Sequence, residues 1–164
     1  MGQHRPNPDV LSLIVCDQII TDRLTGKQSL IGMFSVIHST RFPVVHPQLS
    51  VFASLSGGHG KVELTIRIVD GNEERPPLVD GRGQVNFKNP LAIANLALQF
   101  RGLAFPKPGE YRIQLISNNE LLREARLQLI LVRRRPKPGT EEGLGPDTGP
   151  EEPTPGDDWP AIEP

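Results

Sequence analysis

Apolar and polar residues alternate with period two along much of this chain, and that pattern restricts the fold more than any other feature. Period two places alternate side chains on the two faces of a β-strand. The clearest window is residues 62–68, and the same alternation recurs at residues 49–55, 96–100, 111–115 and 127–131. Residues 11–20 and 30–37 are denser in apolar residues, which predicts strands that are covered more fully. The sequence therefore predicts an all-β domain of seven or eight short strands.

Turn-forming residues separate these windows. The run Ser56-Gly57-Gly58-His59-Gly60 predicts a hairpin turn between two alternating strands. Asn118-Asn119 predicts another, because Asn tolerates the left-handed conformations that tight hairpins require. Residues 22–27, which contain Thr25-Gly26, are expected to link the first two strands. Many short strands with frequent turns favour a sandwich or a barrel.

One tyrosine favours the sandwich. Tyr111 follows a Pro/Gly turn at residues 106–109 and lies near the start of the penultimate predicted strand. Immunoglobulin-like folds place a Tyr at such a corner, where its hydroxyl bonds back to nearby backbone. The alternative is an ordinary half-buried strand tyrosine. We predict an immunoglobulin-like antiparallel β-sandwich.

Composition changes abruptly after Val132. Residues 133–164 hold 8 of the 17 prolines, 5 glycines and 8 acidic residues against 4 basic ones. Such a segment buries too little apolar surface to offset its chain entropy, so we predict a disordered C-terminal tail. The expected organisation is a flexible N-terminus at residues 1–8, a β-sandwich domain at residues 9–132, and the tail at residues 133–164.

Charge and composition exclude several classes of protein. The tail has a net charge of −4 and the whole chain a net charge of −1, so residues 1–132 carry +3. A charge of +3 is too small to indicate a nucleic-acid partner. No apolar run approaches the roughly 18 residues of a spanning helix, so no membrane partner is expected. The lone Cys16 excludes a disulfide scaffold. Because the first nine residues are polar, a secretory signal is not expected, and we predict a cytoplasmic protein.

The sequence contains no recognisable catalytic, cofactor or metal motif. A phosphate loop would require Gly at position 21 and Ser or Thr at position 28, where the chain has Thr21 and Gln28. The four histidines and Cys16 lack metal-ligand spacing. We therefore assign no catalytic, cofactor-binding or metal-binding residue, expect no cofactor, and predict that the protein is not an enzyme.

Two carboxylates leave an enzymatic alternative open. Asp17 ends an apolar run and Asp22 follows five residues later, and such a pair could bind a cation or perform acid–base chemistry. The simpler interpretation is hydrogen bonding at a sheet edge, or pairing of Asp17 with Arg23 or Lys27. A small hydrolase using Asp17, Asp22 or the pair His38 and His46 is a less favoured function than protein interaction or a structural role.

The chain also resembles an uncharacterised family of small bacterial proteins of unknown function. The resemblance covers about residues 9–132 and implies an immunoglobulin-like β-sandwich, with no known activity, cofactor or catalytic residue. The residues that carry it are Leu13-Ile14-Val15-Cys16-Asp17, Thr25-Gly26-Lys27, Leu30-Ile31-Gly32-Met33-Phe34, His46-Pro47, Pro108-Gly109-Glu110-Tyr111 and Asn119-Glu120-Leu121-Leu122.

The tail contains the residues that we single out for partner binding. Trp159 and Ile162 are the bulky apolar residues near its end, and Asp157 and Asp158 precede the Trp. Such a group could dock in an apolar pocket with a basic rim, or the tail could be a solubilising spacer. We predict a non-enzymatic protein-interaction or adaptor module with an unidentified protein partner. The alternative is a structural subunit that pairs through sheet edges or faces, and the oligomeric state stays open.

Overall fold

The structure, a computed structural model, describes residues 6–133. Within this range the chain forms nine β-strands arranged in two sheets. Sheet A has the strand order β2-β1-β4-β7, and sheet B has the order β3-β9-β8-β5-β6. The predicted all-β, immunoglobulin-like sandwich is confirmed. The strands are β1 Asp9–Thr21, β2 Gln28–Met33, β3 Val36–Ser39, β4 Val44–Ser56, β5 Gly60–Asp70, β6 Val79–Phe87, β7 Ala94–Phe105, β8 Gly109–Ser117 and β9 Glu120–Leu131.

The core lies between the two sheets and is built from the alternating windows. One face of each central strand is apolar and points inward, so every second residue of the strand is buried. The inward residues of β4 and β5 are all at most 9% exposed: Leu49, Val51, Ala53, Leu55, Val62, Leu64, Ile66 and Ile68. Strands β8 and β9 complete the core with Ile113, Leu115, Leu127 and Leu129. No helix long and apolar enough to cross a bilayer occurs between residues 6 and 133.

The apolar run at residues 30–37 forms two strands, which raises the count above the predicted seven or eight. The chain leaves sheet A at Phe34, whose N–H donates to the Val15 carbonyl at 3.2 Å. It enters sheet B at Ser35, whose carbonyl accepts from the Gln128 N–H at 2.8 Å. Strand β6 also lacks the period-two alternation that predicts a strand. Gly81 and Gly83 occupy its inward positions, opposite Ile66 and Leu64.

The sandwich departs from antiparallel pairing at one edge. Strand β3 pairs with β9 in parallel, with Ile37 opposite Leu129. The chain reaches the edge of sheet B directly from sheet A, and it arrives running in the same direction as β9.

The glycine run at residues 57–60 does not form the hairpin that the sequence predicts. It joins β4 of sheet A to β5 of sheet B, so it is an arch between the sheets. Gly57 and Gly60 have positive φ angles of 75° and 62°, which turn the chain across the sandwich. At Gly58 an added Cβ would overlap the ring of Phe87, so this position has room only for glycine.

The tyrosine corner and the asparagine turn are both confirmed. The Tyr111 hydroxyl donates to the Lys107 carbonyl at 2.9 Å, beside the turn that leads into β8. Asn118 and Asn119 join β8 to β9 with positive φ angles of 49° and 63°. Most of the predicted tail and the first five residues lie outside the described range.

Candidate functional site

Strand β1 separates from β4 at Asp17. The pairing between these strands runs from Asp9 to the pair Cys16–Ser50. At the next residue, the Asp17 carbonyl accepts hydrogen bonds from the Gln48 Nε2 at 3.0 Å and the Ser50 Oγ at 3.1 Å. Two side chains of β4 thus replace the main-chain bonds of the ladder. Beyond this point β1 pairs with β2 alone, and we call residues 18–31 the arm.

A glycine on β2 accommodates this separation. Gly32 lies between the register pairs Cys16–Met33 and Gln18–Ile31 and has a φ of 65°. An added Cβ would overlap the Asp17 carboxylate. The Asp17 carboxylate therefore occupies the space that a side chain at position 32 would fill.

The tip of the arm is a well-bonded turn. The Asp22 N–H donates to the Lys27 carbonyl at 2.8 Å, and the Asp22 Oδ1 accepts from the main-chain N–H of Leu24 at 2.7 Å and of Thr25 at 3.2 Å. These backbone hydrogen bonds, with one from the Thr25 side chain, hold the pKa of Asp22 below its ordinary value. The turn presents the Leu24 side chain at 97% exposure.

Apolar side chains lie on the outward face of the arm and of sheet A, where they alternate with polar residues such as Gln18 and Ser29. Ile14 faces Phe52, and Cys16 faces Met33, so these residues share the face opposite the core. The alternation along β1 and β2 continues that face to Ile20 and Ile31. We call Ile14, Ile20, Ile31, Met33 and Phe52 the outer stripe. Ile20 is 44% exposed, Ile31 46% and Met33 69%.

The opposite face of the arm is also aliphatic. Ile19 and Leu30 lie directly opposite each other and are half-buried. Neither belongs to the apolar residues that pack against the core of residues 6–133. A two-stranded hairpin is marginally stable by itself in water. An arm with aliphatic residues on both faces and a leucine at its tip is typical of an interaction surface.

The carboxylates do not form the catalytic pair that we considered. The Asp22 side chain is used within its own turn, and Asp17 packs on Gly32. Among the described residues, Asp17 forms no ion pair with Arg23 or Lys27, and its main-chain carbonyl accepts the bonds expected of its side chain.

The histidine pair is divided between the sheets. His38 lies on β3 and His46 on β4. The His46 ring packs against Phe34 with the centroids 5.5 Å apart. Its Nε2 is buried and has no hydrogen-bond partner within residues 6–133.

Cys16 is a buried thiol on the outward face. Burial, together with the neighbouring Asp17 carboxylate, raises its pKa, so the thiolate is disfavoured. Its Sγ lies 3.6 Å from the Gln18 carbonyl. These properties are those of a packing residue.

Apolar side chains are also exposed outside the arm, among them Leu91 at 90%, Ile93 at 64% and Val45 at 62%. No group of three or more His, Cys, Asp or Glu side chains that could hold a metal ion occurs in residues 6–133. A groove of about 880 Å³ crosses the outer face of sheet B, with Arg82, Gln84 and Asn119 among its lining residues. One of its charged side chains, Arg67, already pairs with Asp80 at 3.2 Å.

The predicted partner-binding residues lie outside the described range, so that prediction stays a prediction. They are Asp157, Asp158, Trp159 and Ile162. The arm was not predicted from the sequence. The dense apolar windows at residues 11–20 and 30–37 predict strands that are covered more fully. In the structure Ile20 and Ile31 are exposed instead.

The chain shares low similarity with several solved structures. A β-glucosidase from Erythrobacter marinus is 18% identical, with a TM-score of 0.42 over 59% of this chain and 14% of that chain. The alkylpurine DNA glycosylase AlkC from Pseudomonas fluorescens is 15% identical, with a TM-score of 0.35 over 58% of this chain and 27% of that chain. An immunoglobulin-like protein from Pseudomonas aeruginosa is 14% identical, with a TM-score of 0.37 over 77% of this chain and 99% of that chain.

This chain therefore spans less than a third of the length of the first two proteins. No curated protein matches it. A family match, in contrast, covers both the arm and the sandwich. Residues 11–130 match the family of unknown function DUF6941, and the chain belongs to that family.

Proposed function

We propose that this protein is a non-enzymatic protein-interaction module that binds its partner through the arm and the outer stripe. The observation that carries the proposal is the exposure of Ile20, Leu24 and Ile31 on a hairpin that pairs with no third strand, with Met33 exposed just beyond its base. A strand pair with so much aliphatic surface gains stability when a partner covers it.

The energetic case rests on the size of these side chains. Complete burial of a Leu, Ile or Met contributes about 1.5–3 kcal/mol. Leu24 is almost fully exposed and would gain nearly all of this free energy on burial by a partner, and Met33 would gain most of it. A few such side chains suffice to dominate an interface, because binding energy concentrates in a few residues.

The charges near the tip indicate what the partner presents. Arg23 and Lys27 flank the exposed Leu24. The nearby Asp22 carboxylate accepts hydrogen bonds within the turn. The fitting partner therefore offers an apolar surface with an acidic rim, because opposite charges at a rim steer association.

Partner capture with matched variants tests this proposal. The full chain, cross-linked in a lysate of its source cell, is compared with a variant carrying Ile20→Ser, Leu24→Ser and Ile31→Ser. The control carries Gln84→Ser, Arg123→Ser and Gln128→Ser on exposed positions of sheet B. We expect the arm variant to lose the proteins that the control retains, with both variants unfolding at similar temperatures. Equal capture by the two variants would contradict the proposal.

A second variant separates the arm from the tail. Trp159→Ala with Ile162→Ala removes the predicted tail motif and leaves the arm intact. Loss of capture in this variant alone would move the binding site to the tail.

A further inference from the structure

Strand β7 forms a long edge of sheet A with little protection against pairing. It pairs with β4 on one side, and its other side is the end of the sheet. Its 12 residues include one charged residue, Arg101, and no Lys or Pro. Natural edge strands are commonly blocked by charges, prolines or short length.

The other edges carry such protection. Strand β6 places Asp80 and Arg82 among glycines at the edge of sheet B. Strands β2 and β3 have only 6 and 4 residues. Among the described strands, β7 is thus the edge best suited to accept another strand.

The inward side chains of β7 are incompletely covered. Leu96, Leu98 and Phe100 pack against the core, yet each remains half-buried. Their counterparts on β4 include Leu49 and Val51, which are at most 1% exposed. A strand added beside β7 would cover the exposed flanks of these three side chains.

The regular part of β7 has a natural centre at Leu98. The inward positions fall at Leu96, Leu98 and Phe100, but beyond Gly102 they fall at Leu103 and Phe105. Gly102 has a φ of 64°, which changes the phase of the alternation. The segment in one phase therefore runs from Ala94 to Gly102 and is symmetric about Leu98.

This segment is complementary to a second copy of itself. Residues directly opposite each other in antiparallel strands share a face. Around a two-fold axis at Leu98, Leu96 lies opposite Phe100 of the second copy and extends the core. On the other face Ala97 lies opposite Gln99, and Asn95 lies opposite Arg101. The two Arg101 side chains stand at opposite ends of the pair, so no like charges meet.

We propose that two copies of this protein pair β7 to β7, antiparallel and centred on Leu98. The pairing joins two four-stranded sheets into one sheet of eight strands. A two-fold interface must be complementary to itself, and β7 meets this requirement in its face pattern and its charge. This inference does not depend on the arm, and it specifies an edge for the structural-subunit alternative.

Charge variants of the full chain test the proposal and its register. The exposed positions 97 and 99 lie opposite each other across the axis, so Ala97→Lys with Gln99→Lys brings like charges together twice. Ala97→Glu with Gln99→Lys instead brings opposite charges together twice. Gln84→Lys with Asn86→Lys places the same charges on exposed positions of β6 as the control.

Sedimentation equilibrium across a concentration series provides the measurement. The unaltered chain should approach twice its mass of 18.1 kDa. The like-charge variant should raise the dimer dissociation constant about tenfold, whereas the opposite-charge variant and the control should not. The rescue by opposite charges separates this effect from misfolding. A monomer at all concentrations, or a dimer insensitive to the like-charge variant, would overturn the proposal.

Discussion

The Tyr111 hydroxyl donates a 2.9 Å hydrogen bond to the carbonyl of Lys107 and accepts one of 3.4 Å from the N–H of the same residue. The tyrosine ring meets Phe105 edge to face, with the centroids 5.0 Å apart. One side chain thus fixes both ends of the turn between β7 and β8. Through Phe105 it also ties the end of β7 to the core.

We expect Tyr111→Phe to lower the free energy of unfolding by about 1 kcal/mol, because it removes the hydroxyl and keeps the ring. The midpoint of urea denaturation measures this change. Lys107→Ala is the control, because it leaves the main-chain partner in place. An unchanged midpoint in the Tyr variant would show that ring packing alone holds the corner.

Substitution of Gly58 should be costly. A Cβ at this position overlaps the ring of Phe87, which is 3% exposed and has little freedom to move. We expect Gly58→Ala to lower the free energy of unfolding by about 1–3 kcal/mol. At Gly83 a Cβ would meet no atom within 4 Å, so Gly83→Ala should be nearly neutral. Equal losses in the two variants would refute the steric explanation.

The side chains of Gln48 and Ser50 donate hydrogen bonds to the Asp17 carbonyl, and we expect them to stabilise the base of the arm. Ser50 is 1% exposed, so Ser50→Ala leaves that carbonyl with Gln48 alone. We expect a loss of about 1 kcal/mol in stability, with faster amide exchange confined to residues 18–31. A double-mutant cycle with Gln48→Ala should reveal coupling, because both side chains bond the same oxygen. Uniform acceleration over the whole sandwich would contradict a local role.

Acid should loosen the tip of the arm. Because backbone hydrogen bonds from Leu24 and Thr25 lower the pKa of Asp22, ionised Asp22 stabilises the turn. That contribution is complete above the ordinary carboxyl pKa and is lost as the pH falls through the lowered value. The amide protection of Leu24 and Thr25 should decrease over this range, and Asp22→Asn should remove the pH dependence. Protection that stays constant in acid would argue against the carboxylate as the source.

Much of the sandwich could be predicted from the sequence because its central strands bury one face each. Val62 to Ile68 show this relationship directly, since every second residue is in the core. Strand β6 was missed because glycines occupy its inward positions, where an apolar signal was needed. The crossing at Phe34 was missed because the apolar run continues through it while the main chain changes sheets.

The arm could not be predicted because its geometry depends on residues far apart in the sequence. The pattern around Asp17 predicts an ordinary covered strand. Residues 22–27 correctly indicate the turn that joins β1 to β2. The separation of β1 from β4 is produced by Gln48 and Ser50, which lie more than 30 residues further along. No local pattern identifies which strand a given strand will leave.

The strand order of sheet A has a consequence for how the molecule gathers its partners. Strand β2 and strand β7 form opposite edges, so pairing through β7 would leave both arms free at the ends of the combined sheet. Seven strand spacings of about 4.8 Å would separate the two β2 strands by about 34 Å. A target with two matching surfaces at that distance would bind the second arm as an intramolecular event. Its avidity would then exceed the affinity of either arm without any additional contact.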